Sequence, residues 1–274
     1  MMCSIIYSKL NSKELIRLNE QSKIIRFLER LEDYTNDIPR EHFGNILNSL
    51  IDLGDFFPED DTGFFGFGTP LRILRIKHQL LRREPDHNER LNLLKTAFGK
   101  AEKSLFTIVY EVSIQDQEHG RYNLGDKARP ESELTLPAKY LDQLEKLTCE
   151  KIKVWDQDGR LAKHKKLAGI LYRWENWGSK TDVDNFVASI IKSDEGLVNF
   201  ITSFMGKSTS QGMSDYVGRI HWQISLESVK HFVDPQSIKD RVKKISLSAD
   251  FNQLPEDKQK AVKIFLDTLD GKII

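Results

Sequence analysis

The 274-residue chain carries 41 Lys plus Arg against 41 Asp plus Glu, so no global field draws it to nucleic acid or to an anionic membrane, and only local patches can. Apolar residues at 39% and charged residues at 30% are enough to fold a core without disulfides or metals. Cys3 and Cys149 lack Cys-x-x-Cys spacing and fit a reducing cytoplasm; with no apolar run of membrane-spanning length and no cleavable leader, neither secretion nor membrane insertion is expected.

In chain order, residues 1–21 read as a tail or leading helix. The spacing of Ile24, Ile25, Phe27, Leu28 and Leu31 predicts a helix over 22–34, and Phe43, Ile46, Leu47, Leu50 and Ile51 predict a second over 39–53. Thr69-Pro70 is a cap-plus-proline start for a third helix running to about Arg83, and Asp86 with Glu89 forms the capping box of a fourth. A fifth holds Leu105, Ile108, Val109 and Val112; 106–110 would also suit a strand, and helix is preferred. Residues 116–133 are polar and contain Gly120, Gly125 and Pro130, which marks a loop dividing an N-terminal helical lobe, 22–115, from a C-terminal one, 134–274.

Beyond that loop, Pro137 leads a helix with Leu141, Leu144, Leu147 and Trp155 that stops at Asp158-Gly159, and 167–177 is another, ended by Gly178. Val183, Phe186, Val187, Ile190 and Ile191 line one face of a helix capped by Thr181. Asp194 caps the next, which carries Leu197, Phe200, Ile201, Phe204 and Met205 to a C-cap at Gly206. The alternation over 218–224 predicts one short β element near 219–225. Helices near 235–242 and 255–269 follow, the latter closed by Gly271. About ten helices without a fixed period predict an all-α fold of stacked antiparallel helix pairs outside the repeat families.

No chemical motif stands out. Gly206-Lys207-Ser208 lacks the first glycine of a phosphate-binding loop, because Ile201 occupies that position. The glycines of Gly63-Phe64-Phe65-Gly66-Phe67-Gly68 stand in the wrong order for a dinucleotide turn. The seven histidines form no H-E-x-x-H and no ligand-spaced cluster, so no metal is assigned. Ser208 to Gly212 is no nucleophile elbow and reads as a helix-to-helix connection, while Asp60-Asp61 and Asp182/Asp184 read as loop and cap residues. No catalytic residue and no cofactor is assigned.

Two local features suit interaction. Phe64, Phe65 and Phe67 among glycines make a candidate docking loop, against the simpler reading that they fold onto the core. Arg72, Arg75, Arg82 and Arg83 share one face of the helix that starts at Pro70 and form a candidate anion-binding stripe, against the simpler reading of a solvated face. The run 163–166 reads as a solvated face more strongly still.

Several stretches carry a family resemblance: Phe27-Leu28-Glu29-Arg30-Leu31-Glu32-Asp33-Tyr34 with Ile38-Pro39, Leu50-Ile51-Asp52-Leu53-Gly54-Asp55, Leu171-Tyr172-Arg173-Trp174, the run 194–200 and the run 210–219. Over roughly 22–269 the chain resembles the region C-terminal to the ATPase domain in bacterial KAP family P-loop NTPases. In that family the Walker A and Walker B elements lie upstream, and nothing here matches either. The resemblance implies a fragment or truncated gene product whose ATPase activity belongs to a preceding domain that this chain lacks. The expectation is a cytoplasmic, non-catalytic accessory or interaction module. Its partner would be a P-loop ATPase domain in cis or trans, with homo-oligomer contacts as a second partner class. The alternative is a nucleic-acid-binding module using helix 70–83.

Overall fold

The computed structural model describes residues 21–54, 69–101, 104–121, 130, 133–209 and 220–272. Among them are twelve α-helices and one two-stranded antiparallel sheet, an all-α fold with a minor β element. No helix among the described residues is long and apolar enough to cross a membrane. The chain divides into two compact units, Met1–Lys151 and Ile152–Ile274.

The first unit holds α1 (Gln21–Asp33), α2 (Phe43–Gly54), α3 (Thr69–Arg83), α4 (His87–Lys100), α5 (Leu105–Glu118) and most of α6 (Ala138–Gln157). Helix α1 lies on α3, and α2 lies on α4 and α3. Leu28, Leu31, Ile38, Phe43, Ile46, Leu50, Leu53, Ile73, Ile76 and Leu80 form their common core. Apart from Ile38, which lies between α1 and α2, these residues recur three and four apart along each helix, so burying one stripe of each assembles the core. At the start of α4 the Asp86 carboxylate accepts from Asn88 N at 2.7 Å, satisfying one of the helix's open amides.

The second unit holds the last turns of α6, then α7 (Leu167–Trp177), α8 (Lys180–Ile190), α9 (Asp194–Thr202), β1 (Met205–Thr209), β2 (Ile220–Ile224), α10 (Leu226–Lys230), α11 (Pro235–Ser246) and α12 (Glu256–Leu269). Helix α12 packs on α9, α11 and β2, and α8 packs on α7. The strands pair from Met205 opposite Ile224 to Thr209 opposite Ile220. Lys260 of α12 sits 5.4 Å from the Trp222 ring centroid, so the helix supports a hairpin that two strands alone would hold only marginally. Gly159 and Gly271 adopt φ of +69° just beyond α6 and α12, the left-handed conformation that closes a helix.

The two compact units meet inside α6, whose first turns are tied to the first unit. Lys151 Nζ donates to Ala101 O at 2.7 Å and to Phe98 O, Lys95 reaches Gln143 at 2.9 Å, and Arg121 engages Asp142 and Glu145. Several sequence expectations are corrected. Helix α5 continues to Glu118, past the expected start of the loop. The cap of α8 is Ser179, not Thr181, and that of α9 is Ser193, whose Oγ accepts from Gly196 N at 3.0 Å, not Asp194. Each serine precedes an acidic first turn, and the earlier hydroxyl makes the bond. Helix α9 ends at Thr202, so Gly206 is a strand residue rather than a C-cap, and Ser208 and Thr209 continue that strand instead of linking helices. Thr202 Oγ1 bonds back to Val198 O and Ser203 Oγ to Phe200 O, both at 2.7 Å, closing the helix on its own hydroxyls.

Candidate functional site

The docking segment with Phe64, Phe65 and Phe67 lies outside the described residues, as do Asp60 and Asp61. The arginine stripe on α3 is described, and the chain's own groups engage it. Arg72 pairs with Glu29 at 3.1 Å and Glu32 at 3.5 Å, and Arg75 pairs with Glu32 at 3.3 Å. Arg82 donates to Glu133 O at 2.9 Å and approaches Glu118. Arg83 donates to Thr35 O and, at 2.9 Å, to Ile38 O, with its guanidinium 5.0 Å from the Phe43 ring centroid. The four arginines therefore fasten α3 to α1, to the turn after α1 and to the segment before α6. A phosphate backbone would have to displace these carboxylates and carbonyls to reach them.

Behind that stripe, α3 and α5 share a buried charge network that the sequence reading missed. Lys77 Nζ lies 2.5 Å from Glu111 Oε2, with the two side chains 2% and 0% exposed. His78 Nε2 lies 3.1 Å from Glu111 Oε1, its Nδ1 lies 3.5 Å from Glu118 Oε1, and Gln115 Nε2 donates to Glu111 Oε1 at 3.2 Å. Glu118 also accepts from Thr135 N at 2.8 Å and from Thr135 Oγ1 at 3.1 Å. Burial alone would raise the Glu111 carboxyl pKa, but the Lys77 ammonium and the His78 hydrogen bond outweigh it and hold that carboxyl well below the usual carboxylate range. The signal was present in the sequence: Glu111, Gln115 and Glu118 fall at i, i+4 and i+7 on a helix whose other residues are mostly apolar, so they share a face that is buried. Such a network fixes the register of α5 against α3, a specifying role for buried charge.

A second acidic cluster lies where α5 meets α6. Asp116 is fully buried on α5 and its carboxyl hydrogen-bonds that of Glu145 on α6. Arg121 reaches Glu145 at 3.1 Å and Asp142 at 3.3 Å. Burial, then the neighbouring Asp116 carboxylate, push the Glu145 carboxyl up to about 7 despite Arg121, so the pair shares a proton.

In the second unit, the run 163–166 is not a uniformly solvated face. The His164 ring tilts against Trp155 with centroids 5.7 Å apart and accepts from Lys166 N at 3.1 Å. Burial, with Lys166 beside it, lowers its pKa to about 4. The turn joining α8 to α9 is fixed by Arg241 of α11, which donates to Asp194 at 2.6 Å, to Lys192 O at 2.6 Å and to Ile191 O. Helix α9 has Gly196 through Ile201 buried and acidic residues at its start. Within this unit α9 packs on both α11 and α12.

An open pocket of about 320 Å³ lies between the last turns of α6 and helix α8. Lys153, Asp156 and Gln157 line it from α6, and Asp182, Asn185, Phe186 and Ser189 from α8, with Trp174 of α7 behind them. These residues recur three and four apart on their helices, so each helix contributes one face. The Lys153–Asp182 ion pair, 2.9 Å long, bridges the two helices. In the sequence Asp182 reads only as a first-turn residue and the rest of the pocket is invisible, because it depends on two helices converging over Trp174.

Among the described residues no group of three or more His, Cys, Asp or Glu side chains has metal-holding geometry. No protein-family model matches the chain, and no curated protein and no solved structure matches it.

Proposed function

We propose that the chain is a non-catalytic helical interaction module that works with a P-loop ATPase domain of the KAP kind, in cis or in trans. The observation that carries this reading is the inward use of the charged side chains best suited to chemistry. Lys77, His78, Glu111 and Glu118 bind one another in the interior of the first unit, and Arg72, Arg75, Arg82 and Arg83 bind the chain's own acids and carbonyls. A unit organised this way is a rigid scaffold for surfaces. The resemblance of 22–269 to the region after the ATPase domain supplies the partner class, and the aromatic segment Phe64, Phe65 and Phe67 supplies a candidate contact just before α3.

Triple replacement of Phe64, Phe65 and Phe67 by Ala is the test, read as association with the ATPase domain. Weakened association with unchanged thermal unfolding fits the reading, and unchanged association removes the aromatic segment from it.

A further inference from the structure

The groove between α6 and α8 has one charge that the chain leaves unmatched. Lys153 is paired with Asp182. Asp156, an exposed residue, has no cationic partner among the described residues, and partial desolvation by the groove walls raises its carboxyl pKa. The groove therefore holds two carboxylates and one ammonium, with the neutral amides of Gln157 and Asn185 and the Ser189 hydroxyl around them. Its floor is aromatic: Trp174 and Phe186 stand with centroids 5.8 Å apart. The Trp174 indole N–H is, among the described residues of this unit, the one buried side-chain polar atom without a hydrogen-bond partner. Helices α6 and α8 are held across the groove by an exposed ion pair rather than by close packing. At about 320 Å³ the space is at the small end of ligand sites and suits one side chain with its flanking main chain rather than a nucleotide.

We propose that this groove receives a lysine or arginine side chain projecting from a partner polypeptide, with Asp156 as its counter-charge, a proposal that rests on the interaction-module reading. The methylene stem of such a side chain lies along the groove wall while its head stays at the wet rim beside Asp156. The amides and hydroxyl at the rim meet the main chain on either side. An anionic occupant would face Asp156 and Asp182 against the single Lys153, and a purely apolar one would strip water from Asp156 without replacing it.

The test is nuclear magnetic resonance titration of the full chain, reading the Trp174 indole resonance. The probe is acetyl-Ala-Arg-Ala-amide, and acetyl-Ala-Glu-Ala-amide is the control. The arginine peptide is expected to shift the resonance saturably and more tightly than the glutamate peptide, by the margin that one partly exposed ion pair supplies. Asp156→Asn should raise the half-saturation concentration about threefold to fivefold, and Lys153→Gln, which frees Asp182, should lower it. Asp156 is exposed, so its amide variant keeps the fold, and unchanged far-ultraviolet dichroism verifies this. No saturable shift, an equal shift with the glutamate peptide, or an Asp156→Asn response like that of the unsubstituted chain would overturn the proposal. Association with the ATPase domain is measured in parallel. If it persists while the peptide fails to bind, the module reading stands and the groove assignment falls. Peptide binding without that association upholds the groove as a cation site and removes the ATPase domain as the module's partner.

Discussion

Lys77 Nζ and Glu111 Oε2 stand 2.5 Å apart in the interior of the first unit, one on α3 and the other on α5. A charge pair this deep gains its Coulomb energy only by losing hydration on both sides, so the pair sets the helix register more than it adds net stability. Glu111→Gln leaves the Lys77 ammonium buried without its counter-charge. It should destabilise the unit by about 3–5 kcal/mol, while Lys77→Met combined with Glu111→Leu should recover most of that loss. Urea unfolding of the two variants measures the difference.

The shared proton of Asp116 and Glu145 gives the first unit a pH-dependent stability. Glu145 has a folded pKa raised from its ordinary 4.5 to about 7. Its contribution is therefore full below 4.5 and is lost as pH rises through about 7, where the second carboxyl must ionise against the first. The urea midpoint should fall over that interval in the unsubstituted chain. In Glu145→Gln, which keeps a hydrogen bond to Asp116 without a second charge, the fall should be absent. Glu111 acts in the opposite sense: its lowered pKa gives stability that is present above the ordinary carboxylate range and lost as pH falls below it.

His164 makes the second unit acid-labile. Its pKa is lowered from 6.5 to about 4, so the neutral imidazole stabilises the fold above 6.5 and this contribution is lost as pH falls toward 4. His164→Phe keeps a ring on Trp155 and removes the titration. It should flatten the acid limb of a tryptophan-fluorescence unfolding profile while costing about 1 kcal/mol at neutral pH for the lost bond from Lys166 N.

The first turn of α9 admits only glycine at 196. A Cβ there would stand 2.1 Å from Ile190 O and 2.8 Å from Ser193 Oγ, and the carbonyl belongs to the helix end and cannot move aside. Gly196→Ala should cost about 2 kcal/mol or more. Gly159→Ala meets open space and suffers only from its φ of +69°, so about 1 kcal/mol is expected there. Thermal unfolding of both variants ranks them.

Most helices were legible because their apolar spacing is local. Val183, Phe186, Val187 and Ile190 recur on one face in the sequence and are buried together in α8. The alternation at 220–224 likewise marked β2. Its partner was not legible, since Phe204 and Met205 continue the helical spacing of α9 and only pairing with Ile224 makes Met205 a strand residue. The arginines of α3 were legible as one helix face, whereas their engagement was not: Glu29, Glu32 and Glu133 reach them from segments whose placement is a tertiary matter. The same holds for the groove, whose two walls come from helices well separated in sequence, as Asp156 and Asp182 illustrate.

The most direct test of the module reading is cross-linking of the chain in its source cells, followed by mass-spectrometric identification of what is joined to it. The account predicts linkage to, or continuity with, a polypeptide that contains a G-x-x-x-x-G-K-[ST] loop. A 31.7 kDa species joined to no such polypeptide would contradict it.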